Sequence, residues 1–466
     1  MNISATYTDL YQLTMGQVYY LSGQHKQRAV FDYFFRKLPY QGGYVVFAGL
    51  ANVLDYIKDL RFTDDDLDFL DKAGLNKQYL AFLEDFRFRG TIHSFREGDV
   101  VFPHVPTIRV EGTLLEAQLV ETLLLNIINF QSLIATKASR IKLVAPGKIL
   151  ADFGLRRAQG LGGYHASRAT IIGGFTSTSN VKAALDFGIP PSGTMAHSFI
   201  QHFGDELTAF RTFAEGRPDH CVLLVDTYDT LKSGIPNAIT VAKEMIAKGQ
   251  RLEAIRLDSG DLAYLSRRAR HMLDEAGLPS VKIAASNQLD EYVIKSLLEQ
   301  GAPIDIFGVG TSLVTGQPDA ALDGVYKLCE SDGKPRIKLS ESIAKTTLPE
   351  KKQVYRIFER DGTFVGADAI ALHDESPISV MHHPSEPDNS FYIKDLRQEA
   401  LLEKVMENGE IVMDRQDIHS ISTYSQARLA LLPQEYKRFQ NPHTYKVGIS
   451  SALRDLRDSL RRKYKE

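Results

Sequence analysis

Several short runs in this chain end on residues that could bind or react. In PPSGTMAHSFIQHF (190–203), His197 follows the small or flexible residues Ser192, Gly193 and Thr194 and opens a helical stretch. A histidine placed there presents a ring nitrogen to a pocket, where the helix N-terminus draws in an anion. Imidazole is also a competent nucleophile, phosphoryl capture included. A lone His more often caps or packs, so this run does not decide by itself. His202 lies five residues on, not at the i, i+4 spacing of a helical zinc pair, and no metal site is read here.

In AIRLDSGDLAYL (254–265), Arg256, Asp258 and Asp261 crowd a strand-to-helix turn containing Gly260. Arg pairs with phosphate, and carboxylates hold sugar hydroxyls or Mg²⁺, so the cluster suits a phosphorylated sugar. An Arg–Asp ion pair with Asp261 capping the helix explains it equally well. In DIFGVGTSLVTG (305–316), Gly308, Gly310 and Gly316, with Thr311, Ser312 and Thr315, allow close backbone approach to an oxyanion. No GxxxxGK[ST] motif occurs, and the Rossmann spacing is not met. A barrel phosphate site after a late strand fits better. In ADFGLRRAQG (151–160), Phe153 offers an aromatic face, and Arg156 and Arg157 offer fixed charge. Together they could sandwich and neutralise a small aromatic acid; a core Phe beside surface Arg is the plainer alternative.

These residues sit at the ends of apolar runs. The runs are KILADF (148–153), GGFT (173–176), SGTMA (192–196), CVLLVD (221–226), LEAIRLD (252–258), VKIAAS (281–286) and PIDIFGVG (303–310). Helical patterns separate them at 178–187, 198–214, 236–248, 261–276 and 289–299. Strand–helix alternation with short links predicts a parallel sheet or a (β/α) barrel. In a barrel, all C-terminal strand ends share one face, which collects Arg156, Thr178, His197, Asp226, Asp258, Ser286, Asn287, Gly308 and Gly310. An Asp after any one strand is usually a helix cap; the whole set at one edge favours function.

The expected fold is α/β: an irregular barrel at 136–322 behind an N-terminal α+β domain at 1–135, with a helix at 113–135 leading out of that domain. In the N-terminal domain, 29–50 reads as two strands around a turn, and 91–112 as three short strands. Thr63 caps a helix that stops at Gly74. Residues 323–394 carry strands, GVYKLCE and QVYRIFER among them, expected to return to the first domain. Residues 395–466 read as helical. The basic segment holding Lys338, Lys345, Lys351 and Lys352 reads as a solvated loop.

Composition narrows the function. The 466 residues carry 55 Lys+Arg against 58 Asp+Glu, which gives no electrostatic case for nucleic acid. Two Cys, Cys221 and Cys329, are too few for a disulfide scaffold, so a cytoplasmic home is expected. The start, MNISATYTDLYQL, shows no signal peptide. The apolar stretch 114–145 is broken by Glu116, Gln118, Glu121, Asn126, Asn129 and Gln131, and reads as a buried helix, not a membrane span.

Read together, TDLYQLTMG (8–16), FGLRRAQG (153–160), GGFTSTSNV (173–181), GTMAHSF (193–199), LLVDTYDT (223–230), IRLDSGDL (255–262), GVGTSLVT (308–315) and KKQVYR (351–356) resemble nicotinate phosphoribosyltransferases in order and spacing. The resemblance spans roughly 8–360. It implies joining of nicotinate to 5-phosphoribosyl-1-diphosphate, giving nicotinate mononucleotide and diphosphate, coupled to ATP hydrolysis, in NAD salvage. It also implies a type II phosphoribosyltransferase barrel and a homodimer with interfacial active sites. By motif, His197 would be phosphorylated by ATP. Tyr11 would stack on the pyridine ring from the neighbouring subunit, opposite Phe153. Thr194 and Arg256 would contact nicotinate, with Arg156 nearby. Asp258, Ser286, Asn287, Gly308, Gly310 and Thr311 would hold the phosphoribosyl part, and Mg²⁺ would ride on the diphosphate.

The nicotinamide-using relative carries an Asp where this chain has Ser179, and an acid there would repel a carboxylate. Quinolinate phosphoribosyltransferase is a more distant barrel relative. VLLVDTYDTLKSG (222–234) only loosely imitates the diphosphate loop of the other, doubly wound phosphoribosyltransferases, because Asp226 and Asp229 are not adjacent. The alternatives are a nicotinamide-using enzyme, a barrel lyase or isomerase acting on a sugar phosphate with Asp258 as acid–base group, and a non-catalytic binding protein.

Overall fold

The computed structural model describes residues 3–339, 346–386 and 389–464; Lys345 of the basic segment lies outside them. The chain divides into two compact units. One comprises Met1–Leu133, Ala321–Gln416 and Thr423–Glu466; the other comprises Ile134–Ala320 and Asp417–Ser422.

In the first unit, the apolar strand Arg28–Phe35 lies inside a seven-stranded sheet, between Ile108–Thr113 and Gly324–Ser331. Both pairings are antiparallel, so GVYKLCE does come back to the N-terminal sheet. QVYRIFER does not join that sheet. Lys352–Phe358, buried along its whole length, sits in a second sheet of six strands beside Phe364–Leu372 and Arg397–Ala400. Thr63 caps Asp64–Lys72 through a reciprocal pair with Asp66, and Gly74 follows that helix at φ +90°. Within 395–466, the helices are Ile418–Leu431 and Ser451–Lys463. The stretch also holds the strands Arg397–Ala400, Glu403–Glu407, Glu410–Ile411 and Lys446–Ser450. Their side chains find sheet partners distant in sequence, which local periodicity does not reveal.

The expected helix at 113–135 runs further, as Leu114–Leu119 and Glu121–Val144. It is long and apolar enough to cross a membrane, but 67% of its most apolar window is buried inside the protein, as suits a core helix.

The second unit is built on six parallel strands. Four match the expected runs closely: Ile149–Asp152, Ala254–Leu257, Lys282–Ser286 and Ile306–Val309. A fifth, Val222–Leu224, is shorter than CVLLVD. The first strand, Ile149–Asp152, pairs in parallel with the last, Ile306–Val309, as the first and last strands of a barrel do. The ring stays open between Ser177–Thr178 and Val222–Leu224, hence an irregular barrel. The chain between these two strands carries His197.

Two expected strands are corrected here. GGFT is the cap and turn that follow helix Leu161–Ile172, with Gly174 at φ +103°; the strand is only Ser177–Thr178. SGTMA forms no strand, and a single bridge, Thr178 to Pro191, marks its entry. Small residues and Gly193 give a strand too little to pack. The expected helix 198–214 is two helices, His197–Phe203 and Glu206–Gly216, divided by Gly204 at φ +69° and capped anew by Asp205.

Candidate active site

Arg256 is the hub of the C-terminal strand ends. Its side chain rises from the fourth barrel strand, and each guanidinium nitrogen donates: Nε to Ser286 Oγ at 2.9 Å, one terminal nitrogen to Thr194 Oγ1 at 3.0 Å, the other to Asp258 Oδ1 at 2.9 Å. Ser286 also donates to Asp258 Oδ1. The guanidinium carbon lies 5.5 Å from the centre of the Phe153 ring, within cation–π range. Phe153 rests on Gly308, where a Cβ would collide with the ring, so glycine there makes room for the aromatic platform. Residues from the first, fourth, fifth and sixth strands and from the 190–197 run therefore meet at one place, although their sequence positions are far apart.

His197 opens its helix beside this hub with its side chain 39% exposed. Nε2 lies 3.7 Å from Asp258 Oδ2 and 4.0 Å from Asp226 Oδ1. Nδ1 is 3.0 Å from Thr227 Oγ1, which fixes the ring plane. Asp226 Oδ2 accepts from Asp258 N at 2.8 Å and from Ser259 Oγ at 2.6 Å. Asp226 Oδ1, buried, has no hydrogen-bond partner among the described residues. Burial works against the charge on Asp258. Hydrogen bonds from Ser286 and Arg256, with the positive charge beside it, outweigh burial and hold its carboxyl below the ordinary aspartate value.

The other expected residues are placed less centrally. Arg156 is exposed on the short 3₁₀ turn Leu155–Arg157 and makes no hydrogen bond or ion pair among the described residues. Ser179 N donates to Asp152 O at 2.8 Å at the end of the second strand. Asn287 follows the fifth strand at φ +82°, and Gln288 follows it at φ +47°. Two successive non-glycine residues in the left-handed region mark a strained strand end. Gly310 precedes the short helix Thr311–Val314, on which Thr311 is exposed. Asp261 caps the helix Leu262–Glu275, the plainer of its two readings. Tyr11 belongs to the first unit, on helix Leu10–Leu21, and is 47% exposed.

Sequence reasoning left Thr227 and Ser259 unassigned. Each directly follows an acid at a strand end, Asp226 or Asp258, and that adjacency was the available signal. No group of three or more His, Cys, Asp or Glu that could hold a metal ion occurs among the described residues.

Displacing diphosphate from an activated ribose builds positive charge on the sugar and negative charge on the leaving group. The reaction calls for aligned partners and preorganised polar groups rather than a strong base. A parallel barrel with such groups at the C-terminal ends of its strands can meet that demand. Comparison with known proteins narrows the class. The family described as nicotinate phosphoribosyltransferase matches residues 149–385, its N-terminal domain matches 6–129, and its C-terminal domain matches 351–457. The chain belongs to the nicotinate phosphoribosyltransferase family.

A nicotinate phosphoribosyltransferase of Bacillus subtilis (strain 168) is 46% identical over 456 residues, covering 95% of this chain and 92% of that one. The crystal structure of human nicotinic acid phosphoribosyltransferase superposes with a TM-score of 0.86 at 30% identity, covering 97% of this chain and 99% of that one. A nicotinate-nucleotide pyrophosphorylase from Pyrococcus furiosus shares the fold, with a TM-score of 0.73 at 24% identity over 92% of this chain and 95% of that one.

Proposed function

We propose that this enzyme transfers the 5-phosphoribosyl group from 5-phosphoribosyl-1-diphosphate to the ring nitrogen of nicotinate, releasing diphosphate, with ATP hydrolysis coupled through His197. One observation carries the reading: Arg256, held by Thr194, Ser286 and Asp258 above Phe153, places a fixed cation beside an aromatic platform. That pair matches a flat ring bearing a carboxylate. Family membership supports the substrate.

The chain's own groups have these roles. Phe153 supports the pyridine ring, and Arg256 and Thr194 take its carboxylate, with Arg156 nearby. Ser179 leaves the acid unrepelled. Asp258, Ser286 and Asn287, with the backbone at Gly308, Gly310 and Thr311, orient the phosphoribosyl part. The C1–O bond to diphosphate breaks as the C1–N bond to nicotinate forms, and the electron pair leaves on the diphosphate. His197 accepts a phosphoryl group from ATP and later yields it to water. Its ring is oriented by Thr227 and faces Asp226 and Asp258.

The unpartnered Asp226 Oδ1 near Asp258 gives two carboxylates, too few for a resident metal. They suit a Mg²⁺ that takes its other ligands from substrate oxygens and water. Bound there, Mg²⁺ would neutralise phosphate charge. Helix Leu10–Leu21 leaves Leu10, Tyr11, Val18 and Leu21 exposed, a face suited to a second copy of the chain, from which Tyr11 would cover the ring. Cys221 and Cys329 are free and buried, which supports a reducing, cytoplasmic setting.

The test is product formation from 5-phosphoribosyl-1-diphosphate and Mg²⁺, with and without ATP, offered nicotinate, nicotinamide and quinolinate in parallel. Nicotinate mononucleotide should form fastest and be stimulated by ATP. Radiolabelled ATP should leave acid-labile phosphate on the wild type and none on His197→Ala. No product from any pyridine would return the chain to sugar-phosphate lyase chemistry.

A further inference from the structure

We infer that Asp152, outside the substrate-contacting set, is a positioning residue that fixes the pyridine-acid pocket by tying the Phe153 turn to the Ser179 strand end. The inference rests on the nicotinate reading above. Asp152 ends the first barrel strand with its side chain fully buried. One carboxylate oxygen accepts from Gly154 N at 2.8 Å, which folds the chain just past Phe153. The other accepts from Ser167 Oγ at 2.8 Å, on helix Leu161–Ile172, and from Thr178 Oγ1 at 2.7 Å, at the end of the second strand. The Asp152 backbone carbonyl accepts from Ser179 N at 2.8 Å.

The connection continues beyond these contacts. Thr178 Oγ1 accepts from Asn180 N at 3.1 Å, and the Thr178 carbonyl accepts from Ser192 N at 2.8 Å, at the head of the run that leads to Thr194 and His197. One side chain thus joins three segments, two of which, the Phe153 turn and the Thr178–Ser179 strand end, carry proposed substrate contacts, and it reaches the run to Thr194 and His197 through Thr178. All its side-chain hydrogen-bond donors are neutral. Burial without a cation penalises a carboxylate and pushes its proton affinity up, against the three hydrogen bonds that oppose it. An apolar residue would fill the strand end at less cost but could not fix three segments in register. Positioning matters because displacement of a bound ring by about 1 Å can cost about 10²-fold in rate.

The experiment compares wild type with Asp152→Asn and Thr178→Val. It measures kcat and KM for each substrate at saturating levels of the other, and Tm. Asp152→Asn should raise KM for nicotinate about tenfold, as expected for about 1.4 kcal/mol. Thr178→Val, which removes one hydroxyl, should raise it less. The double variant should fall short of the product of the two effects, since both act on one network. KM for 5-phosphoribosyl-1-diphosphate should stay within about twofold, and Tm within about 3 °C.

A fall in Tm with both KM values unchanged would reduce Asp152 to a structural role and overturn the inference. Equal shifts in both KM values would overturn it too. If Asp152→Asn does not fold, Thr178→Val decides by the same measurements. A wild type that makes no nicotinate mononucleotide would overturn the nicotinate reading first. An active wild type with unchanged nicotinate KM in both variants would overturn only this inference.

Discussion

Two arginine–carboxylate clusters in this protein use the same chemistry to opposite ends. In the first unit, Arg356 is completely buried; it donates to Asp99 at 2.7 Å, to both oxygens of Asp368 at 3.0 Å and to the Val100 carbonyl at 2.6 Å. Arg428 closes on Asp99 at 3.0 Å and on Glu399 at 2.7 Å, and Tyr445 donates to Asp368 at 2.9 Å. Burial works against the charge on Asp99, and the two arginines outweigh it, holding the carboxyl below its ordinary value. In the barrel, Arg256 is also paired, but its cluster stands at a half-open face beside His197, with an oxygen of Asp226 left over. The first cluster is saturated and seals a core. The second keeps unspent hydrogen-bonding capacity where a ligand can reach it, and that difference separates a staple from a site.

Breaking the staple should have the largest effect. Arg356→Ala leaves Asp99 and Asp368 buried without their main cation and should cost about 3–5 kcal/mol in urea unfolding. Specific activity per folded molecule should hold. Next comes Arg256→Ala, which should lower kcat/KM for nicotinate by about 10²–10³, about 2.7–4 kcal/mol of transition-state stabilisation. The urea midpoint should hardly move, because water can reach the partners left behind. If the two arginines exchanged these signatures, the comparison would fail.

A smaller effect sharpens the barrel side. Ser179→Asp should reduce kcat/KM for nicotinate about tenfold by like-charge repulsion while sparing nicotinamide. Unchanged discrimination would remove Ser179 from the pocket. The smallest concerns the first unit. Burial, then the hydrogen bond and charge of Glu350, push the Glu330 carboxyl up to about 7. The folded state therefore binds this proton more tightly than the unfolded chain does. Stability from this group is full below the ordinary glutamate value and falls as pH rises toward about 7. Glu330→Gln cannot ionise, so its Tm relative to wild type should be higher at pH 8 than at pH 5. The same difference at both pH values would show that Glu330 carries no such shift.

Much of the barrel was legible because a strand–helix repeat with reactive residues at each strand end is a local pattern. Asp258 and Asp261 show the limit of such reading. Both follow the same strand, and only their partners reveal that Asp261 caps a helix while Asp258 serves the Arg256 hub. The runs GGFT and SGTMA looked like strands because they are short and bounded by turn residues. Gly174 in fact turns the chain between a helix and the second strand, and Gly193 belongs to the stretch where the barrel stays open. Arg356 was noticed only as the end of a family motif, and nothing local separates it from Arg256. The strands within 395–466 were missed because their pairing partners lie in other parts of the chain.

The sequence by itself determined the family, the alternating architecture, the cap at Thr63, and the residue types gathered at the strand ends. All of these depend on neighbours within a few positions or on ordered motifs. The tertiary structure alone decided the closure of the first strand on the last and the opening beside His197. It also decided the burial of one arginine cluster with exposure of the other, and the meeting of Asp152 with Ser167 and Thr178. Burial and hydrogen-bond partnership are relations between residues far apart in the chain. They set the cost of each charge, and no local pattern of residue types encodes that cost.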